Sequence, residues 1–214
     1  MLKANKKTLI IASIVTVLPV LIGILAWDRL PDVMATHFGM DNEANGWSSK
    51  VFAVFGLPLF LVAMEWIMAV VTSQDPRRQN ISPKLFTLIL WIIPVVSIVC
   101  GAAIYTYNLG MRTDTSFFAM IFMGLMFIVI GNYMPKTRQN YTIGIKIPWT
   151  LADEENWNRT HRLAGYLWVA GGILMLLAAL TGFTNIRWFF VILVVMTVVP
   201  CVYSYWMYAR GRKS

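Results

Sequence analysis

An all-α membrane protein, a polytopic bundle of six transmembrane helices with both termini cytoplasmic, is the fold class this sequence predicts. Three observations predict it. Of its 214 residues 58% are hydrophobic and only 13% are charged, about half the charged share of a soluble domain. Six apolar stretches, each near the roughly 20 residues needed to cross the hydrocarbon layer, run over 8–27, 51–72, 85–109, 115–134, 163–183 and 188–208. The basic residues alternate in density from one loop to the next. Lys3, Lys6, Lys7, Arg77, Arg78, Lys84, Lys136, Arg138, Lys146, Arg159, Arg162, Arg210, Arg212 and Lys213 collect on one side. Of the 18 basic residues only Arg29, Lys50, Arg112 and Arg187 fall on the other. That is the positive-inside pattern, and it places both ends of the chain in the cytoplasm of a cell membrane.

Each span must be helical, because lipid offers a bare backbone no hydrogen bonds; barrel strands would instead alternate over about ten residues. The first span follows three lysines, as a signal peptide does. Its apolar run is too long for that, and no small-x-small cleavage site precedes Asp28, so it is expected to remain as a span. The net charge of +8 is laid out by topology and suits anionic lipid heads, making the bilayer the expected partner and excluding nucleic acid. Cys100 and Cys201 lie inside spans and match no redox or metal spacing, so no disulfide is expected. Pro19, Pro58, Pro94 and Pro200 sit within spans as tolerated kinks, and Gly171-Gly172 permits close approach of a neighbouring helix.

Two polar segments stand out. The outer loop, 28–50, contains Pro31, His37, Gly46, Trp47 and Lys50. Asn45-Gly46 predicts its turn, since both residues tolerate positive φ, while Trp47 and Lys50 sit where interfacial anchors belong. The long cytoplasmic loop, 135–162, is dense in Trp, Pro, Gly, Asn, His and Arg. Thr150 is the predicted N-cap of a short interfacial helix, with Asp153 in the capping-box position. Trp157, His161, Gly165 and Trp168 then share one helical face leading into the fifth span. Loop two, 73–84, reads as a short basic connection broken by Asp75-Pro76 and Ser82-Pro83.

These two loops carry a resemblance. Leu30-Pro31, Thr36-His37-Phe38-Gly39, Gly46-Trp47 and Lys50 resemble an uncharacterised N-terminal domain of bacterial and archaeal membrane proteins. Gly131-Asn132-Tyr133, Pro135-Lys136, Asn140-Tyr141, Gly144-Ile145-Lys146, Pro148-Trp149-Thr150-Leu151, Trp157, Thr160-His161 and Gly165 resemble the SdpI-type immunity family, with Lys146 where Arg is more usual. The resemblance implies a division into membrane domains at 1–109 and 110–214. It also implies immunity to a secreted, membrane-active peptide toxin of the sporulation-delaying type, with docking of a cytoplasmic transcriptional repressor as a second role.

The candidate sites follow. In the cytoplasmic loop, Asn132, Pro135, Arg138, Asn140, Gly144, Lys146, Pro148, Trp149, Thr150, Trp157, Thr160, His161 and Arg162 form either a docking or ligand surface or an interfacial frame in which Pro148 opens a helix and Asn140 closes a turn. On the docking reading, Arg138, Lys146, Arg159 and Arg162 meet acidic groups while Trp149, Trp157 and His161 supply a stacking surface. His37, with Asp32, Asp41 and Glu43, falls short of a zinc set, and His161 lies across the membrane from it; no metal or other cofactor is expected. Glu65 is the one ionisable residue in the spans, roughly 20 Å below the outer surface at about 1.5 Å per residue. Either it carries protons, as intramembrane carboxylates do by default, or it meets a base of the cytoplasmic loop or the amides of Asn132 or Asn140. No nucleophile elbow, P-loop or HExxH motif is present, and catalysis is not expected. Two rivals to immunity are a small transporter using Glu65 and a membrane enzyme or lipid-head binder using the cytoplasmic loop.

Overall fold

The computed structural model describes residues 1–39, 42–111, 114–183 and 186–211. Asp41, Arg112, Arg212 and Lys213, used in the sequence reading, lie outside the described residues. Among those described, six helices are long and apolar enough to cross a membrane: Leu2–Leu25, Phe52–Ser73, Pro83–Asn108, Thr115–Lys136, Glu154–Leu180 and Arg187–Gly211. The protein is thus an all-α, multi-pass membrane protein. The helices are α1 (Leu2–Leu25), α2 (Leu57–Ser73, entered through a π-helical turn at Phe52–Gly56), α3 (Pro83–Asn108), α4 (Thr115–Tyr133), the short α5 (Pro148–Ala152), α6 (Glu154–Leu180) and α7 (Ile186–Gly211). Large apolar side chains such as Leu21, Phe60, Leu180 and Val202 point outward. Lipid tails are as apolar as those side chains, so cohesion between helices rests on close packing and hydrogen bonds.

The chain packs as two units, Met1–Ser73 with Phe86–Phe118, and Gln74–Leu85 with Ala119–Ser214. In the first unit the outer loop folds into a hairpin that the sequence reading did not foresee. Strands β1 (Val33–Phe38) and β2 (Ala44–Ser49) pair antiparallel, with Ala35 opposite Trp47 and His37 opposite Gly46. Asn45-Gly46 is therefore not the turn. The chain reverses before it, where the Gly39 amide donates to the Glu43 carbonyl at 2.8 Å and Asn42 takes φ +64°. Gly46 is needed for closeness instead, since a Cβ there would lie 2.9 Å from the Cβ of His37. His37 Nδ1 donates to Asn45 Oδ1.

Met34 of β1 enters an apolar core with Leu30, Ala53, Val54, Ile104 and Tyr105. The Asn108 side chain, at the end of α3, clamps Ala35 by accepting its amide and donating to its carbonyl, each at 2.9 Å. Asn42 Oδ1 accepts from the Thr115 hydroxyl and the Ser116 amide, filling orphan donors at the start of α4. Trp47 is exposed. Lys50 sits over the Trp27 ring and pairs with Asp32 at 3.1 Å.

Glu65 is fully buried in this unit. Its carboxylate takes hydrogen bonds from two hydroxyls of α1, Ser13 at 3.1 Å and Thr16 at 2.9 Å. Ser13 and Thr16 are three residues apart, so both fall on one face of α1, and α2 packs its Glu65 face against them.

In the second unit α4 and α6 approach at two glycine pairs. A Cβ on Gly124 would lie 2.8 Å from the Gly172 carbonyl, and one on Gly165 would lie 2.8 Å from that of Gly131. Gly171 turns instead toward Met196 of α7. Between α6 and α7, the Asn156 amide donates to the Ser204 carbonyl at 2.8 Å and accepts from the Ser204 hydroxyl.

Candidate functional site

Segment 137–147 has no helix or strand, and its backbone groups are satisfied largely by side chains. After α4 a 3-10 turn at Met134–Lys136 reverses the chain. The Thr137 hydroxyl donates back to the Tyr133 carbonyl, and the Thr137 carbonyl accepts from Trp157 Nε1 at 2.6 Å. Asn140, fully buried, closes a turn: its Oδ1 accepts from the Thr142 and Ile143 amides, while its Nδ2 donates to the Arg138 carbonyl. This is the side chain's local mimicry of a backbone turn.

Gly144 takes φ +113°, where a side chain is strained. A Cβ there would fall on His161 Nε2. The next amide, Ile145, donates to that same Nε2 at 2.9 Å. His161 Nδ1 lies 2.8 Å from the Trp157 carbonyl. A carbonyl can only accept, so Nδ1 carries the proton, and Nε2 is left as the acceptor the Ile145 amide needs. The two bonds fix one neutral tautomer. Trp157 stacks on the ring at 4.0 Å between centroids, and both side chains are fully buried. The pair is turned inward onto Gly144 and offers no outer stacking surface.

Pro148 opens α5, its missing amide costing nothing in a first turn. Thr150 is not the N-cap: it lies inside α5, fully buried, donating to the Ile145 carbonyl at 2.7 Å and accepting from the Ile147 amide at 3.1 Å. The proline starts the helix three residues earlier than an N-cap at Thr150 would have done. The chain then breaks at Asp153, which caps α6 by accepting from the Glu155 amide at 2.9 Å.

Loop two supplies what the sequence reading missed. Asp75 is 1% exposed. Its Oδ1 accepts from the Arg77 amide at 2.7 Å, and its Oδ2 accepts from the Tyr141 amide and the Thr142 hydroxyl, each at 2.8 Å. Arg77 lies over the Tyr141 ring and donates to Gln139 Oε1. Asn80 donates to the Gln139 carbonyl at 2.7 Å. Gln139 in turn donates to the Thr150 and Leu151 carbonyls. Loop two, the 137–147 segment and α5 are thereby laced into one clasp.

The sequence-predicted residues sort by exposure. Asn140, Thr150, Trp157, Thr160 and His161 are buried and form the frame. Asn132, Pro135, Arg138, Lys146, Pro148 and Arg162 are exposed. Lys146 donates to the Thr142 carbonyl at 2.8 Å, and Arg159 pairs with Glu155 one helical turn away. Trp149 is half-buried against Tyr205 and Tyr208, its indole N–H without a partner. The clasp is a rigid, acceptor-matched frame carrying basic side chains on its outside. His37, Gly46 and Trp47 belong to the hairpin of the other unit, with Pro31 just before it and Lys50 just after it.

The SdpI/YfhL protein family model matches residues 136–204, and a domain of unknown function (DUF1648) matches residues 14–62. Immunity protein SdpI of Bacillus subtilis (strain 168) is 24% identical over 210 residues, covering 96% of this chain and 98% of that protein. No solved structure matches the chain. The 137–147 segment, α5, α6 and most of α7 fall within the region that the SdpI/YfhL model matches, and there the chain is similar to the SdpI-type family.

Proposed function

We propose that this protein is a membrane immunity protein, protecting its cell from a secreted, membrane-active peptide toxin of the sporulation-delaying class. The observation that carries the reading is the alignment with an immunity protein over nearly the whole of both chains. The exposed face of the outer hairpin, with Trp47, His37 and Asn45, is where the peptide is met. Trp is well suited to that task, giving large contact area with an amphipathic edge.

On the cytoplasmic side the clasp holds Arg138, Lys146 and Arg162 outward, and these are the docking points for acidic groups of a transcriptional repressor. The frame's function in this reading is to keep those side chains in one arrangement. The test is membrane potential in a susceptible bacterium challenged with a sporulation-delaying-type peptide. Cells expressing the protein hold their potential at peptide levels that depolarise control cells, and Trp47→Ala at equal membrane abundance loses part of that protection. Equal depolarisation with and without the protein refutes the reading.

A further inference from the structure

The first unit contains a buried carboxylate that neither the hairpin nor the clasp uses. Glu65 is 0% exposed at mid-helix in α2, and among the described residues it forms no ion pair. Uncompensated charge in that setting is expensive, and such a residue marks a proton or ion path by default. The hydrogen bonds around it indicate which.

Two protonation states of Glu65 can each be fully satisfied by the same atoms. When the carboxylate is ionised, the Ser13 hydroxyl donates to Oε1 and the Thr16 hydroxyl to Oε2. When it is protonated, its own O–H donates to one of those hydroxyl oxygens. That hydroxyl then turns its proton to a backbone carbonyl already within reach, Leu9 at 2.9 Å for Ser13 or Ala12 at 3.0 Å for Thr16. Ser13 also accepts from Trp66 Nε1 at 3.0 Å, which leaves its own proton free to choose. A permanently charged or permanently neutral acid would need only one of these two sets.

A cavity of about 250 Å³ lies in the same unit, with Thr36 of the hairpin and Leu61, one turn from Glu65 along α2, in its wall; Glu65, Ser13 and Thr16 do not line it. Ser97 lines it too, and its hydroxyl donates to the Thr16 carbonyl at 2.7 Å. The titratable neighbours are Cys100 and Tyr105 of α3, both on the cavity wall. Lys3, Lys6 and Lys7 of α1 are exposed near its start. No cation faces the carboxylate from α1, α2 or α3.

We propose that Glu65 is a proton-binding site that takes up and releases one proton, its two protonation states sharing the Ser13 and Thr16 hydroxyls. One O–H bond forms on the carboxylate as a hydronium ion gives up its proton, and the reverse step returns it; no other bond changes.

The test is infrared difference spectroscopy of the full chain in nanodiscs, stepped between mildly acidic and mildly alkaline buffer. The expected result is a protonated-carboxyl band that comes and goes reversibly, is lost in Glu65→Gln, and changes frequency in Thr16→Val, which keeps the carboxyl but removes a hydrogen-bond partner. Wild-type and Glu65→Gln spectra that superimpose overturn the site. Should Glu65→Gln not fold, a titrating band with the same frequency in wild type and Thr16→Val overturns it equally. None of these readouts depends on toxin protection, so the site and the immunity reading stand or fall separately.

Discussion

Replacing Asp75 probes the clasp at its most concentrated point. The carboxylate accepts three hydrogen bonds within 2.7–2.8 Å and is 1% exposed. Hydrogen bonds to a charged acceptor contribute about 1.5–3 kcal/mol each. In Asp75→Asn the amide oxygen can keep Tyr141 and Thr142, but its NH₂ then faces the Arg77 amide, donor against donor. That leaves one buried donor unmatched, at about 1–3 kcal/mol. Asp75→Ala removes both acceptor oxygens and so all three hydrogen bonds; with water recovering part of the loss, the cost is about 3–6 kcal/mol by the same reckoning.

Hydrogen–deuterium exchange read by mass spectrometry on the peptide containing residues 139–145 measures this locally. At about 1.4 kcal/mol per tenfold, Asp75→Asn speeds exchange roughly 5- to 100-fold and Asp75→Ala by more than about 100-fold. Peptides from α1 and α2 serve as the internal control and keep their rates. Exchange in Asp75→Ala within about threefold of wild type, against that hundredfold expectation, would refute the view that loop two holds the cytoplasmic segment in place.

Three further outcomes follow from the same geometry. Gly144→Ala puts a Cβ onto His161 Nε2 at φ +113°; the strain costs about 1–3 kcal/mol and lowers the midpoint of unfolding titrations in mixed detergent. Trp157→Phe keeps the stack on His161 but leaves the Thr137 carbonyl without its 2.6 Å donor, a loss of about 1–3 kcal/mol in the same titration. Asp32→Asn removes the ion pair with Lys50, but the Asp32 side chain is 98% exposed, so the change stays within about 1 kcal/mol.

How far the sequence reached can be judged residue by residue. The spans were legible because apolar length is a one-dimensional signal: the fifth was read at 163–183, and α6 runs Glu154–Leu180 through the predicted Trp157–His161 face. Pro148 as a helix opener and Asn140 as a turn closer were legible too, since both act on their own backbone. Partners distant in the chain were not. Asp75 looked like a breaker beside Pro76, and nothing local says that it will accept the amide of Tyr141, 66 positions on.

The hairpin was missed for a related reason. Asn-Gly is the strongest short turn signal, yet here the demand for closeness opposite His37 outweighed it and placed Gly46 inside a strand. Glu65 stood out in the sequence from cost alone, while its partners, two hydroxyls on a different helix, needed the packing of α1 on α2 to be found. Trp157 and His161 show the converse error: residue types that suit a binding surface served as buried scaffold.

The most direct test of the immunity account is survival. A bacterium susceptible to a sporulation-delaying-type peptide is grown with and without this protein, at measured membrane abundance, across a series of peptide concentrations. The account predicts that the killing concentration rises with the amount of protein in the membrane. A killing curve that does not move, with the protein correctly inserted, would contradict it.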